Sequence, residues 1–110
     1  MHLEFSTGKL RKELSQEKAM DRAYGDRAKP LRRRLDVLRR ATCLADVPKD
    51  PPDRCHRLSR DRDGQYAVVI KDNWRLVFVP DHEPVPKLSD GGVDERSVTR
   101  ITVLEVVDYH

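Results

Sequence analysis

Long apolar runs are what this chain of 110 residues most lacks. No stretch approaches the roughly 20 residues of a membrane-crossing helix, and no apolar leader follows Met1. The chain is therefore expected to carry no transmembrane or secretory segment and to be cytoplasmic. Cysteine is nearly missing too, with only Cys43 and Cys55. Their spacing excludes a CxxC redox motif, and a reducing cytosol argues against a bridge between them. Cys43 reads as a small buried apolar residue. Cys55 stands beside His56 but has no second pair of ligands, so neither a metal nor a cofactor is expected. Hydrophobic residues make up 37% of the chain and charged residues another 37%, which leaves one domain over residues 1–110 with a thin core.

Charge is what the chain has in plenty. Lys and Arg total 22 against 19 acids, a formal net charge of +3. The arginines are clustered: Arg32, Arg33, Arg34, Arg39 and Arg40 crowd one segment, and Arg54, Arg57, Arg60 and Arg62 another. Two readings of the first cluster stay open, a solvated helix face and a surface for nucleic acid or an acidic partner.

His2 to Phe5 alternates polar and apolar and suits a short strand. Ser6 or Thr7 offers an N-cap, and Leu10, Leu14, Met20 and Tyr24 predict a first helix ending at Gly25. Ala28, Leu31, Leu35, Leu38 and Thr42 predict a second, with its arginines on the outer face. Pro48, Pro51 and Pro52 make a connector. Arg54 to Leu58 reads as a strand, closed by the turn Asp61-Arg62-Asp63-Gly64.

Gln65–Lys71 and Trp74–Val79 form a hairpin around Asp72-Asn73, two residues that tolerate positive φ. A two-residue loop sets Lys71 opposite Trp74, Val69 opposite Leu76 and Ala67 opposite Phe78. Tyr66, Val68, Ile70, Arg75, Val77 and Val79 then share the other face. Helices should cover the bulkier Trp74, Leu76, Phe78 face, so Arg75 projects from the open side, where it either meets an anion or pairs with Glu105 or Asp108 at the rim. Residues 80–98 form a long loop rich in Pro and Gly, expected to be functional or mobile, and His82 within it is given no role. Ile101 onward is an apolar, β-branched strand that runs into Asp108-Tyr109-His110. The fold class is α+β, with two N-terminal helices packed on one face of a small antiparallel-rich sheet.

His56-Arg57-Leu58, Asp61-Arg62-Asp63-Gly64-Gln65-Tyr66, Asn73-Trp74-Arg75-Leu76-Val77-Phe78 and the terminal Val107-Asp108-Tyr109-His110 together resemble the HigB branch of the RelE/ParE toxin superfamily. Element order is similar over about Leu3 to His110, while the specific motifs cover only His56 to Phe78 and the last four residues. The resemblance implies a RelE-like fold and a type II toxin-antitoxin toxin that cuts mRNA in the ribosomal A site without metal. It implies a cognate helix-turn-helix, HigA-like antitoxin, through which alone operator DNA would be bound. It also implies catalytic roles for His56, Arg75, Asp108, Tyr109 and His110. Arg57, Arg60, Arg62 and Lys71, the cations around them, are the candidate substrate-binding groups. The family commonly has His-x-Leu-Lys-Gly where this chain has His56-Arg57-Leu58-Ser59-Arg60, so the cation moves one residue along.

These residue types suit internal RNA cleavage, which needs a base for the 2′-OH, a cation for the phosphate and an acid for the 5′ oxygen. Imidazole is the natural proton carrier at neutral pH, and an arginine grips phosphate through two parallel hydrogen bonds. Asp108 can act as base or orient a histidine. A phenol, with an unperturbed pKa of about 10, suits base stacking or a phosphate hydrogen bond at Tyr109 better than proton transfer. Two other readings use the same fold: a ParE-like gyrase inhibitor, and a non-catalytic regulator of the killer suppression type.

Overall fold

The computed structural model describes residues 1–108. Five strands, β1 (His2–Phe5), β2 (His56–Arg57), β3 (Tyr66–Lys71), β4 (Trp74–Pro80) and β5 (Arg100–Asp108), form one mixed sheet in the order β1-β5-β4-β3-β2. β1 runs parallel to β5, and every other neighbouring pair is antiparallel. β5 therefore lies inside the sheet, with β1 along residues 100–103 on one edge and β4 along residues 101–108 on the other.

Three helices, α1 (Gly8–Ser15), α2 (Glu17–Tyr24) and α3 (Ala28–Arg40), precede the main sheet strands. Thr7 caps α1, its Oγ1 accepting from the Leu10 N–H at 3.1 Å. The single first helix expected from the sequence is two helices, because Gln16 adopts an extended conformation at φ −117°, ψ 124°. The reason is phase: Leu10 and Leu14 are four residues apart, Met20 follows after six, and the break turns α2 so that Met20 is buried as well. α3 ends at Arg40, two residues before the expected Thr42.

One core cluster joins Leu10, Leu14, Met20, Leu31, Leu35 and Leu38 of the helices to Tyr66, Val68, Ile70, Leu76, Phe78, Ile101 and Val103 of the sheet. Each such fully buried aliphatic or aromatic side chain is worth about 1.5–3 kcal/mol. A smaller cluster on the opposite face contains Leu58, Ala67 and Val77, with Leu104 and Val107 at its margin.

The hairpin register differs from the sequence expectation beyond its first pair. Lys71 does face Trp74, but Val69 pairs with Arg75, Val68 with Leu76, Ala67 with Val77 and Tyr66 with Phe78. The shift falls between Val69 and Lys71, where Ile70 is an extra residue. This bulge sends Ile70 and Lys71 to the same side, so that Tyr66, Val68 and Ile70 join Leu76 and Phe78 beneath the helices. Arg75 keeps its expected place on the opposite side, now with Val69 and Ala67.

β2 is only His56–Arg57, shorter than the expected strand, because the preceding chain turns: Arg54 N–H donates to the Asp50 carbonyl and Cys55 N–H to the Pro48 carbonyl. Arg54 sits at φ 48°, a left-handed value that costs a non-glycine residue about 1–2 kcal/mol. The 80–98 stretch is packed against the rest of the chain. Val93 and Val98 enter the main core, Tyr66 donates to Glu95 Oε2 at 3.1 Å, Lys49 pairs with Glu95 Oε1 at 3.1 Å, and His82 Nε2 accepts from the Thr99 N–H at 3.0 Å. Among the described residues no helix is long and apolar enough to cross a membrane.

Candidate functional site

The open side of the sheet holds a basin of about 470 Å³ lined by Lys49, Pro51, Arg54, His56, Val69 and Arg75. A volume of this size lies in the range of small-ligand sites, and its lining is strongly cationic. Three segments build it. The proline connector brings Lys49, Pro51 and Arg54, β2 brings His56, and the β3–β4 hairpin brings Val69 and Arg75 as cross-strand partners.

His56 is exposed, and its Nδ1 lies 2.8 Å from the Arg54 carbonyl oxygen. A carbonyl only accepts, so Nδ1 carries the hydrogen and the neutral ring has its lone pair on Nε2. The left-handed turn at Arg54 thereby sets which nitrogen can take a proton. Arg75 is half-buried, and among the described residues Nη1 alone donates, to the Asp72 carbonyl at 2.8 Å and the Trp74 carbonyl at 3.2 Å. Neither acid suggested as its rim partner is bound to it: Glu105 pairs with Arg62 at 3.1 Å, and Asp108 stands in register with Trp74. Two backbone carbonyls hold the guanidinium while Nε and Nη2 keep donors for an anion.

The other candidates scatter. Asp108 shares the face of its partner Trp74, opposite that of Arg75, which pairs with Val107. Tyr109 and His110 lie outside the described residues. Arg57 pairs with Tyr66 in register and lines a second groove with Asp63, Val85 and Lys87, ion-paired to Asp63 at 3.4 Å. Arg60 and Arg62 belong to a short 3-10 turn after Ser59, and Arg62 also donates to Gln65 at 3.0 Å. Lys71 is tied to Asp26, between α2 and α3, at 2.9 Å. That contact holds the Lys71 ammonium above its usual pKa and the Asp26 carboxyl below its own.

Lys49 and Arg54 are basin residues that sequence reasoning missed. Arg54 was legible, since the strand expected over Arg54 to Leu58 sets it two residues before His56 and so on the same side. Lys49 left no local signal, because only the proline turns carry it to the basin. The neighbour between Arg54 and His56 goes inward: Cys55 is 4% exposed, and burial pushes its thiol up to about 11. Among the described residues no group of three or more His, Cys, Asp or Glu could hold a metal ion.

Neither a scan of protein-family models nor a search of curated protein sequences finds a match. Solved structures do. The YoeB/ParE toxin from Agrobacterium tumefaciens superposes with a TM-score of 0.55 at 14% identity, over 100% of both chains. The YoeB dimer from Staphylococcus aureus gives 0.53 at 16% identity, over 100% of this chain and 97% of that one. The chain shares its fold with these toxins. At such identities the likeness is of architecture, since one fold can be reached by sequences that differ at most positions.

Proposed function

We propose that this chain is a single-domain, cytoplasmic toxin of a type II toxin-antitoxin system and cuts mRNA on the ribosome, in the manner of the HigB-like proteins its motifs resemble. One observation carries the reading: His56, with its tautomer set by the Arg54 carbonyl, lines the same basin as Arg75, whose free donors suit a phosphate. In this reading Nε2 of His56 takes or gives a proton at the scissile phosphodiester. Arg75 and Arg54 grip the non-bridging oxygens, while Lys49, paired with Glu95, stands at the basin's edge. Arg54 then takes the part of the lysine that the family carries after its His-x-Leu, where this chain has Ser59. Tyr109 and His110 remain proposed participants, as stacking group and acid, and Asp108, on the face opposite Arg75, only as an orienter, with Arg57, Arg60, Arg62 and Lys71 as outer contacts to RNA. The partners would be ribosome, mRNA and a helix-turn-helix antitoxin of the HigA kind.

One observation favours a second reading. Asp108 faces away from the basin, which weakens a site built on the terminal tripeptide and suits a gyrase inhibitor of the ParE kind, which needs no such cluster. Incubating the purified chain with translating ribosomes, and separately with gyrase and supercoiled DNA, decides between them. Position-specific mRNA cuts that vanish in His56→Ala and Arg75→Ala support the nuclease. Gyrase-dependent DNA breaks without mRNA cuts would replace it with the inhibitor, and silence in both assays would leave a non-catalytic regulator.

A further inference from the structure

α3 was expected to present all its arginines outward, yet Arg34 is 8% exposed. Its Nε donates to the Val69 carbonyl at 2.7 Å, and its Nη1 stands 3.3 Å from Oδ1 of Asp53, itself 6% exposed. Val69 N–H in turn donates to the Asp53 carbonyl at 2.8 Å, closing a ring of contacts among helix, connector and strand. Both residues so held adjoin the basin. Val69 lines it and is the register partner of Arg75, while Asp53 immediately precedes Arg54, whose carbonyl orients His56.

We infer that Arg34 is a positioning residue, a brace within the helix layer that fixes the connector bearing His56 against the hairpin bearing Arg75. The inference rests on reading the basin as the RNA site. Stability alone is a poor explanation for the pair. Burying two charges carries a desolvation penalty that their attraction often fails to exceed, and Oδ1 of Asp53 lacks an aligned hydrogen bond that would offset it. What an arginine uniquely offers here is a rigid planar fork that holds a backbone carbonyl at the β3 bulge and a carboxylate at once. A lysine's single ammonium cannot span both.

The test uses the full chain with two variants, Arg34→Lys and the double replacement Arg34→Met with Asp53→Leu. The double variant removes both charges together and so leaves no unpaired ion to unfold the protein. Three readouts are taken: the denaturation midpoint, the ¹⁵N shifts of the His56 imidazole, and single-turnover mRNA cleavage across a range of ribosome concentrations. The brace predicts a double variant that stays folded but whose His56 nitrogens move from a single Nδ1–H tautomer toward averaged values. Its saturating cleavage rate should fall about 10- to 100-fold, the scale of an ångström-sized misplacement, with the half-saturating concentration unchanged. Arg34→Lys should fall between. Wild-type imidazole shifts and cleavage in both variants, with only the midpoint moved, would overturn the inference. If the wild-type chain cuts no mRNA, the RNA reading fails, and the imidazole shifts still decide whether Arg34 orders the basin.

Discussion

Two arginines meet β3 at Val69 from opposite sides of the sheet, and they have opposite fates. Arg34 comes from the helix-covered side, almost wholly removed from water, with the Val69 carbonyl and the Asp53 carboxylate as partners. Arg75 is Val69's cross-strand neighbour on the open side, half-buried and held through one nitrogen by two carbonyls of its own turn. The difference teaches that what stands behind a guanidinium decides its use. With carbonyl and carboxylate both supplied inside the protein, the charge becomes structure. Anchored on one nitrogen at a surface, it keeps donors for something that arrives from solution.

The sharpest way to break this contrast is Arg34→Ala. It leaves Asp53 buried without a counter-ion and should lower stability by about 3–5 kcal/mol in urea denaturation. That is a large share of the roughly 5–15 kcal/mol a domain has. Arg75→Ala should change stability by no more than about 0.5 kcal/mol, as expected for a side chain with no buried charge partner, while weakening retention on an RNA oligonucleotide and lowering its salt slope by about 1. Equal stability losses in the two variants would erase the distinction.

The smallest effect comes from the Asp26–Lys71 pair, which ties the turn before α3 to the hairpin that bears Arg75. Lys71 holds the Asp26 carboxyl below its ordinary 3.8, first by hydrogen bond and then by charge. The stability this gives is present above pH 3.8 and is lost as pH falls through the depressed folded value. Lys71, raised from 10.5, contributes below that pH and loses its contribution as pH rises through the folded value. Asp26→Asn should therefore flatten the acid limb of the stability profile, and an unchanged limb would show the contact to be idle in solution.

Much of the fold was legible because its signals are local. β1, the Thr7 cap, the start of α3 and the turn at Asp72-Asn73 each follow from neighbouring residues, and Asp72 does adopt φ 53°. The site was legible only in part. His56 and Arg75 were named from the motif and share a basin, whereas Arg57 and Lys71 are turned to other partners. Arg34 escaped because the helical pattern locates an apolar stripe but cannot show that a charged neighbour of that stripe reaches an acid 19 positions on.

By itself the sequence determined the apolar periodicities, the turn residues and the cationic, histidine-bearing chemistry of this protein, since these depend on side chains within a few positions of one another. Tertiary structure alone decided which face each hairpin residue takes and which cations remain available. One extra residue at Ile70 reverses the alternation of β3 relative to β4, and a bulge of that kind is chosen by what must pack against distant helices rather than by the strand's own pattern.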